Sequence, residues 1–172
     1  RRFYRYLVRE GVCDKDPTVN LSSPKLGRSL PKSLSESDVE ALLASPDETT
    51  AMGKRDRAML ELLYATGLRV SELVSIGLDQ INLQVGLVRV IGKGNKERLV
   101  PLGEMALDKI AGYLESGRGD ILGQRSSFAV FVSNRGVAMT RQTFWYAIKR
   151  YAKLAGLSAS LSPHTLRHAF AT

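Results

Sequence analysis

The stretch "LVRVIGKGNKERLVPL", residues 87–102, breaks the pattern of the chain around it. On either side, apolar residues recur every three or four positions. Here two β-branched, partly alternating runs flank a Gly-Lys-Gly-Asn turn, which is the signature of a β-hairpin. "INL" at 81–83 offers a third strand. One small sheet inside a helical chain predicts an α+β fold, mostly α-helical, with a small three-stranded antiparallel sheet.

The helices are written in caps and stripes. "RRFYRYLVRE" puts Phe3, Tyr6 and Leu7 on one face and arginines on the other, and Gly11 ends it. "CDKDPTVNLSSPKLGRSLPKS" has no sustained period and reads as a linker. The chain therefore divides into a helix at 1–12 belonging to a preceding domain, a linker at 13–33, and a domain at 34–172. Ser35 with Asp38 resembles a capping box before the stripe Val39, Leu42, Leu43. "SPDETTAMGK" reads as a loop. "RDRAMLELLYATG" follows as a helix that Gly67 stops, and a short helix runs from about Val70 to Ile76. After the hairpin, "GEMALDKIAGYLE" is helical and a Gly/Ser-rich loop follows. The helix "TRQTFWYAIKRYAKLAG" then buries Phe144, Ile148, Tyr151 and Ala152 and ends at Gly156.

Apolar residues make up 44% of the 172, enough for a packed core. The 25 Lys and Arg against 17 Asp and Glu leave a net charge of +8, which favours a polyanionic partner such as nucleic acid. A basic surface that merely aids solubility is the plainer alternative. One cysteine, Cys13, excludes a disulfide framework and a cysteine-based zinc site. No apolar run approaches the ~18 residues of a membrane span, and no signal peptide is visible, so the expected location is cytoplasmic.

Four places could carry chemistry. In "SPHTLRHAFAT", residues 162–172, Ser162 suits an N-cap and Pro163 the first helical position. His164 and Arg167 then share the first turns of a helix, where free N–H groups favour an anion. A histidine packed beside a surface arginine is the simpler reading. His164 and His168 are spaced like helical zinc ligands, but these two histidines are the only ones, so no metal is expected. In "YATGLRVSEL", Arg69 sits on the connection between two helices and Glu72 can pin it, unless the two form an ordinary surface pair. Lys93 stands on the hairpin tip between Gly92 and Gly94, as a mobile basic group or a solvated turn. A nucleotide P-loop is excluded because glycine follows that lysine. Finally, Arg141, Lys149, Arg150 and Lys153 fringe a helix bearing Trp145 and Tyr146, which suits either DNA phosphates or a solvated edge.

In this order, "ATGLRVSEL", "VIGKGNKERLVPLG", "MTRQTFW" and "LSPHTLRHAFAT" resemble the catalytic domain of tyrosine site-specific recombinases, the bacterial Xer recombinases above all. The resemblance covers about residues 30–172, and residues 1–12 look like the last helix of the family's core-binding domain. It implies that Arg69 and Arg167 are the two family arginines, Lys93 the hairpin lysine and His164 the histidine of the H-x-x-R box. It makes Glu72 the supporting acid and leaves His168 outside the catalytic set. Lys96, Arg98, Arg141, Gln142, Thr143 and Lys149 are the candidate DNA contacts. The nucleophilic tyrosine of the family lies downstream of that box. No tyrosine follows Arg167 here, so the polypeptide reads as a fragment that neither cuts nor rejoins DNA alone.

Strand cleavage by transesterification gathers negative charge on the phosphoryl oxygens, which arginines can neutralise. No cofactor is expected. The partners implied are a double-stranded DNA recombination site, a XerC-like partner recombinase in a heterotetramer, and an FtsK-type DNA translocase, with no membrane. A phage or integron integrase and a non-catalytic DNA-binding remnant are the alternatives.

Overall fold

The computed structural model describes residues 1–21, 34–92 and 94–157. The chain divides into two units, Arg1–Pro31 and Lys32–Thr172. In the first, helix α1 (Arg2–Arg9) runs into Gly11, whose φ of +71° suits glycine. Phe3 and Tyr6 on its apolar face are exposed. A turn follows in which the Asp16 carboxylate accepts hydrogen bonds from the Thr18 backbone N–H (2.8 Å) and hydroxyl (2.6 Å).

The second unit opens with α2 (Glu36–Ala44). The Ser35 hydroxyl accepts the Asp38 N–H while the Asp38 carboxylate accepts the Ser35 N–H, so the expected capping box is present. Val39, Leu42 and Leu43 are buried as the stripe requires. The central helix α3 (Ala51–Thr66) begins four residues earlier than the sequence reading, which left Ala51–Lys54 in a loop. Thr50 caps it by accepting the Gly53 N–H at 3.0 Å. Gly53 is required there because a Cβ would lie 1.8 Å from the Asp47 carbonyl oxygen.

Ala58, Met59, Leu60, Leu62 and Leu63 of α3 are buried, and so are Arg55, Asp56 and Glu61, so the helix is enclosed on most sides. Asp56 lies wholly inside. Arg55 meets it at 2.7 Å and donates to the Val132 carbonyl at 2.9 Å. The Tyr151 hydroxyl donates to Asp56 at 2.8 Å, and Arg150 reaches it at 3.2 Å. Burial and the neighbouring Asp56 charge push the Tyr151 hydroxyl up to about 12. Sequence reading had placed Arg150 on a solvated basic edge; its guanidinium instead joins this network across 94 residues.

Gly67 ends α3 with φ +58° and ψ +26°, and α4 (Val70–Val74) follows after two residues. The sheet has strands β1 (Ile81–Asn82), β2 (Leu87–Ile91) and β3 (Glu97–Pro101), in that order and antiparallel throughout, as the period change predicted. Val88 and Val90 bury one face of β2 against the core.

Helix α5 (Glu104–Gly112) does not stop at the expected loop. It passes through one wide π-type turn, Tyr113–Gly117, into α6 (Arg118–Leu122). Two anchors keep the chain helical through its glycines. Tyr113 is buried, stacked on Phe131, and donates to the Val130 carbonyl. Arg118 donates to the carbonyls of Ser127 and Ala129. The last described helix, α7 (Arg141–Leu154), is capped by Thr140 and buries Phe144, Ala147, Ile148, Tyr151 and Ala152. It packs against α4.

Candidate active site

The site grows from the corner between α3 and α4. Gly67 turns the chain and Leu68 is fully buried, which fixes the backbone at Arg69. Arg69 is the N-cap of α4, and Glu72 stands three residues on. The Glu72 carboxylate accepts the Arg69 backbone N–H at 2.8 Å and Arg69 Nη1 at 3.1 Å. The pairing suggested by their spacing is therefore formed, but it is no ordinary surface pair. The Glu72 side chain is 5% exposed, whereas that of Arg69 is 53% exposed.

A third member comes from the sheet. Arg98 on β3 sends Nη1 to Glu72 Oε1 at 3.0 Å and Nη2 to Oε2 at 2.9 Å, a two-bond fork. Gly92, at the end of β2, makes room for it: a Cβ there would lie 3.1 Å from Arg98 Nη1. Burial pushes the Glu72 carboxyl upward, but the hydrogen bonds and charge of Arg98, with the bonds from Arg69, outweigh it and hold the group at about 2. Glu72 in turn raises the Arg98 guanidinium. The trio sums to one net positive charge.

Arg69, Ser71, Glu72, Ser75, Ile91 and Gly92 line a cleft of about 470 Å³. The corner forms one wall and the hairpin end the other. Gly92 N–H donates to the Lys96 carbonyl at 2.8 Å, and Gly94 and Asn95 both take positive φ, which closes the hairpin tip. A half-exposed guanidinium braced by a buried acid, beside free cleft volume, is suited to receive an anion.

The structure thus brings Arg69, Glu72 and Arg98 together. Lys93, His164, Arg167 and His168 lie outside the described residues. Lys96 is exposed beside the turn. On α7, Arg141, Gln142, Thr143 and Lys149 are all exposed. Two of them have local work: Thr143 completes the helix cap with Thr140, and Gln142 reaches the Tyr146 hydroxyl at 3.4 Å. Lys149 Nζ sits 3.8 Å from the centre of the Trp145 ring. The fork from Arg98 to Glu72 was missed by sequence reasoning, since 26 residues separate the two and no local pattern joins them. Among the described residues, no group of three His, Cys, Asp or Glu side chains could hold a metal ion, and no helix is long and apolar enough to cross a membrane.

The phage integrase family matches residues 32–172, and the chain belongs to that family. At finer grain it is similar to Xer proteins. It is 59% identical over all 172 residues to tyrosine recombinase XerD of Pseudomonas aeruginosa, of which it covers 58%; the chain thus spans a little over half the length of the curated relatives it matches. Those relatives carry the name of the Xer member, XerD, whose sequence blocks this chain resembles more than those of XerC. Among solved structures, XerA recombinase matches with a TM-score of 0.71 at 33% identity, over 83% of this chain and 50% of that one. XerH site-specific recombinase, bound to its palindromic difH substrate, matches in fold with a TM-score of 0.70 at 24% identity, over 87% of this chain and 43% of that one.

Proposed function

We propose that the full-length protein is a Xer-type site-specific recombinase that cuts and rejoins DNA strands through a 3′-phosphotyrosyl intermediate. A tyrosine downstream of Arg167 attacks the scissile phosphorus. The new bond is P–O(Tyr), the bond broken is P–O5′, and the departing 5′ oxygen takes a proton from Lys93. Arg69 and Arg167 hold the phosphoryl oxygens as charge builds on them, and His164 assists the proton traffic. Rejoining runs the same exchange backwards, with a 5′ hydroxyl attacking the phosphotyrosine, so the phosphodiester energy is conserved and no cofactor is consumed.

The observation that carries this reading is the Arg69 guanidinium, braced by buried Glu72 and half-exposed on the cleft. The exposed basic edge of α7 supports a DNA partner, with Lys96, Arg141, Gln142, Thr143 and Lys149 as contacts. Similarity to XerD relatives supports a chromosomal recombination site, a XerC-like partner recombinase in a heterotetramer, and control by an FtsK-type translocase in the cytoplasm. Arg69→Ala in the full-length protein is expected to slow covalent strand cleavage by about 10²- to 10³-fold while sparing most site binding. Cleavage at the wild-type rate in that variant would overturn the assignment.

A further inference from the structure

Glu72 accepts four hydrogen bonds, two from Arg69 and two from Arg98. Arg98 engages both carboxylate oxygens, whereas the Arg69 side chain reaches one. Arg98 lies opposite Val90 in the β2–β3 register, so the hairpin reaches across to α4 through this one side chain. The glycine at position 92 leaves room for that approach, as a Cβ there would crowd both Arg98 Nη1 and, at 3.7 Å, Glu72 Oε1. A carboxylate this buried needs its bonds filled. Without Arg98, the nearest cation left to fill them is Arg69, whose guanidinium would be drawn down onto Glu72 and out of the cleft.

Building on the recombinase reading above, we infer that Arg98 is a positioning residue. By saturating Glu72 from the hairpin side, it leaves most of the Arg69 fork for the scissile phosphate and ties the two walls of the cleft together. This gives Arg98 a role through Glu72 and Arg69 in place of a direct DNA contact.

The test uses the full-length protein on a nicked duplex that traps the covalent intermediate, its site selected from random-sequence DNA by the wild-type protein. Arg98→Ala and Arg98→Gln are expected to lower the maximal cleavage rate about 10- to 100-fold, with the half-saturating protein concentration within about threefold of wild type. Arg98→Lys, which keeps the charge and one bond, should recover part of the loss and carries the test if the neutral variants fail to fold. Arg69→Ala/Arg98→Ala should be no slower than Arg69→Ala alone. A defect confined to half-saturation would make Arg98 a phosphate contact and overturn the proposal, as would multiplicative losses in the double variant or an unchanged maximal rate. If Arg69→Ala itself cleaves like wild type, the recombinase reading of the cleft fails first and separately.

Discussion

Glu72 and Asp56 are each held by two arginines, yet only the first of these clusters opens on a cleft. Around Asp56 the donors are consumed: Arg55 is 3% exposed, bonded to the acid and to the Val132 carbonyl, and the Tyr151 hydroxyl fills a further place. Around Glu72 both arginines remain about half in solvent while the acid is buried. The same residue types therefore serve opposite ends. A satisfied network ties α3 to α7, and an unsaturated one presents a cation. What separates them is where the surplus N–H groups point, and that depends on packing.

The largest expected effect is on stability at Asp56. Arg55→Ala strands a buried carboxylate and a carbonyl, and should destabilise the protein by about 3–5 kcal/mol in denaturant unfolding. Arg69→Ala, removing a half-exposed partner, should cost no more than about 1 kcal/mol. Equal losses in the two variants would erase the distinction.

The two clusters should also fail at opposite ends of the pH scale. The Glu72 carboxyl is lowered from 4.5 to about 2, so its contribution is complete above pH 4.5 and is lost as pH falls through about 2. The Tyr151 hydroxyl is raised from 10.0 to about 12, so its contribution is complete below pH 10 and is lost as pH rises through about 12. Each amounts to at most ~3 kcal/mol. Glu72→Gln should flatten only the acid limb of a stability–pH curve, and Tyr151→Phe only the alkaline limb. At neutral pH, Tyr151→Phe should cost about 1–2 kcal/mol.

The smallest effects distinguish adjacent residues of α7. Lys149→Ala in the full-length protein should reduce the slope of log affinity for DNA against log salt by about one, with stability unchanged. Arg150→Ala should leave that slope alone and lower stability by up to ~1 kcal/mol, because its guanidinium belongs to Asp56. A reversed pattern would move the DNA-facing edge by one residue.

What could be read from the sequence was local. The hairpin, the Ser35–Asp38 box, the stop at Gly67 and the buried stripe of α7 are all written within a few residues of where they act. The Arg69–Glu72 pair was legible for the same reason. What escaped depends on distant chain. Gly53 looks like a loop residue until the Asp47 carbonyl is seen against it, and the glycines after Tyr113 look like breakers until Phe131 and the 127–129 carbonyls are in place. Arg98 reads as one more basic residue because its acid lies 26 positions away. Buried charge is the hardest case, since composition presents Arg55 and Asp56 as surface residues.

The wide turn at Tyr113–Gly117 has a consequence for how this helix can vary in length. Taking one residue out of it would let α5 and α6 close into a regular spiral, and everything beyond would swing by about 100°. Ile121 and Leu122 would rotate out of the interior, and Arg118 would lose the carbonyls of Ser127 and Ala129. The extra residue acts as a phase-setter, so a deletion here is tolerable only with a matching change in the segment Arg118 serves.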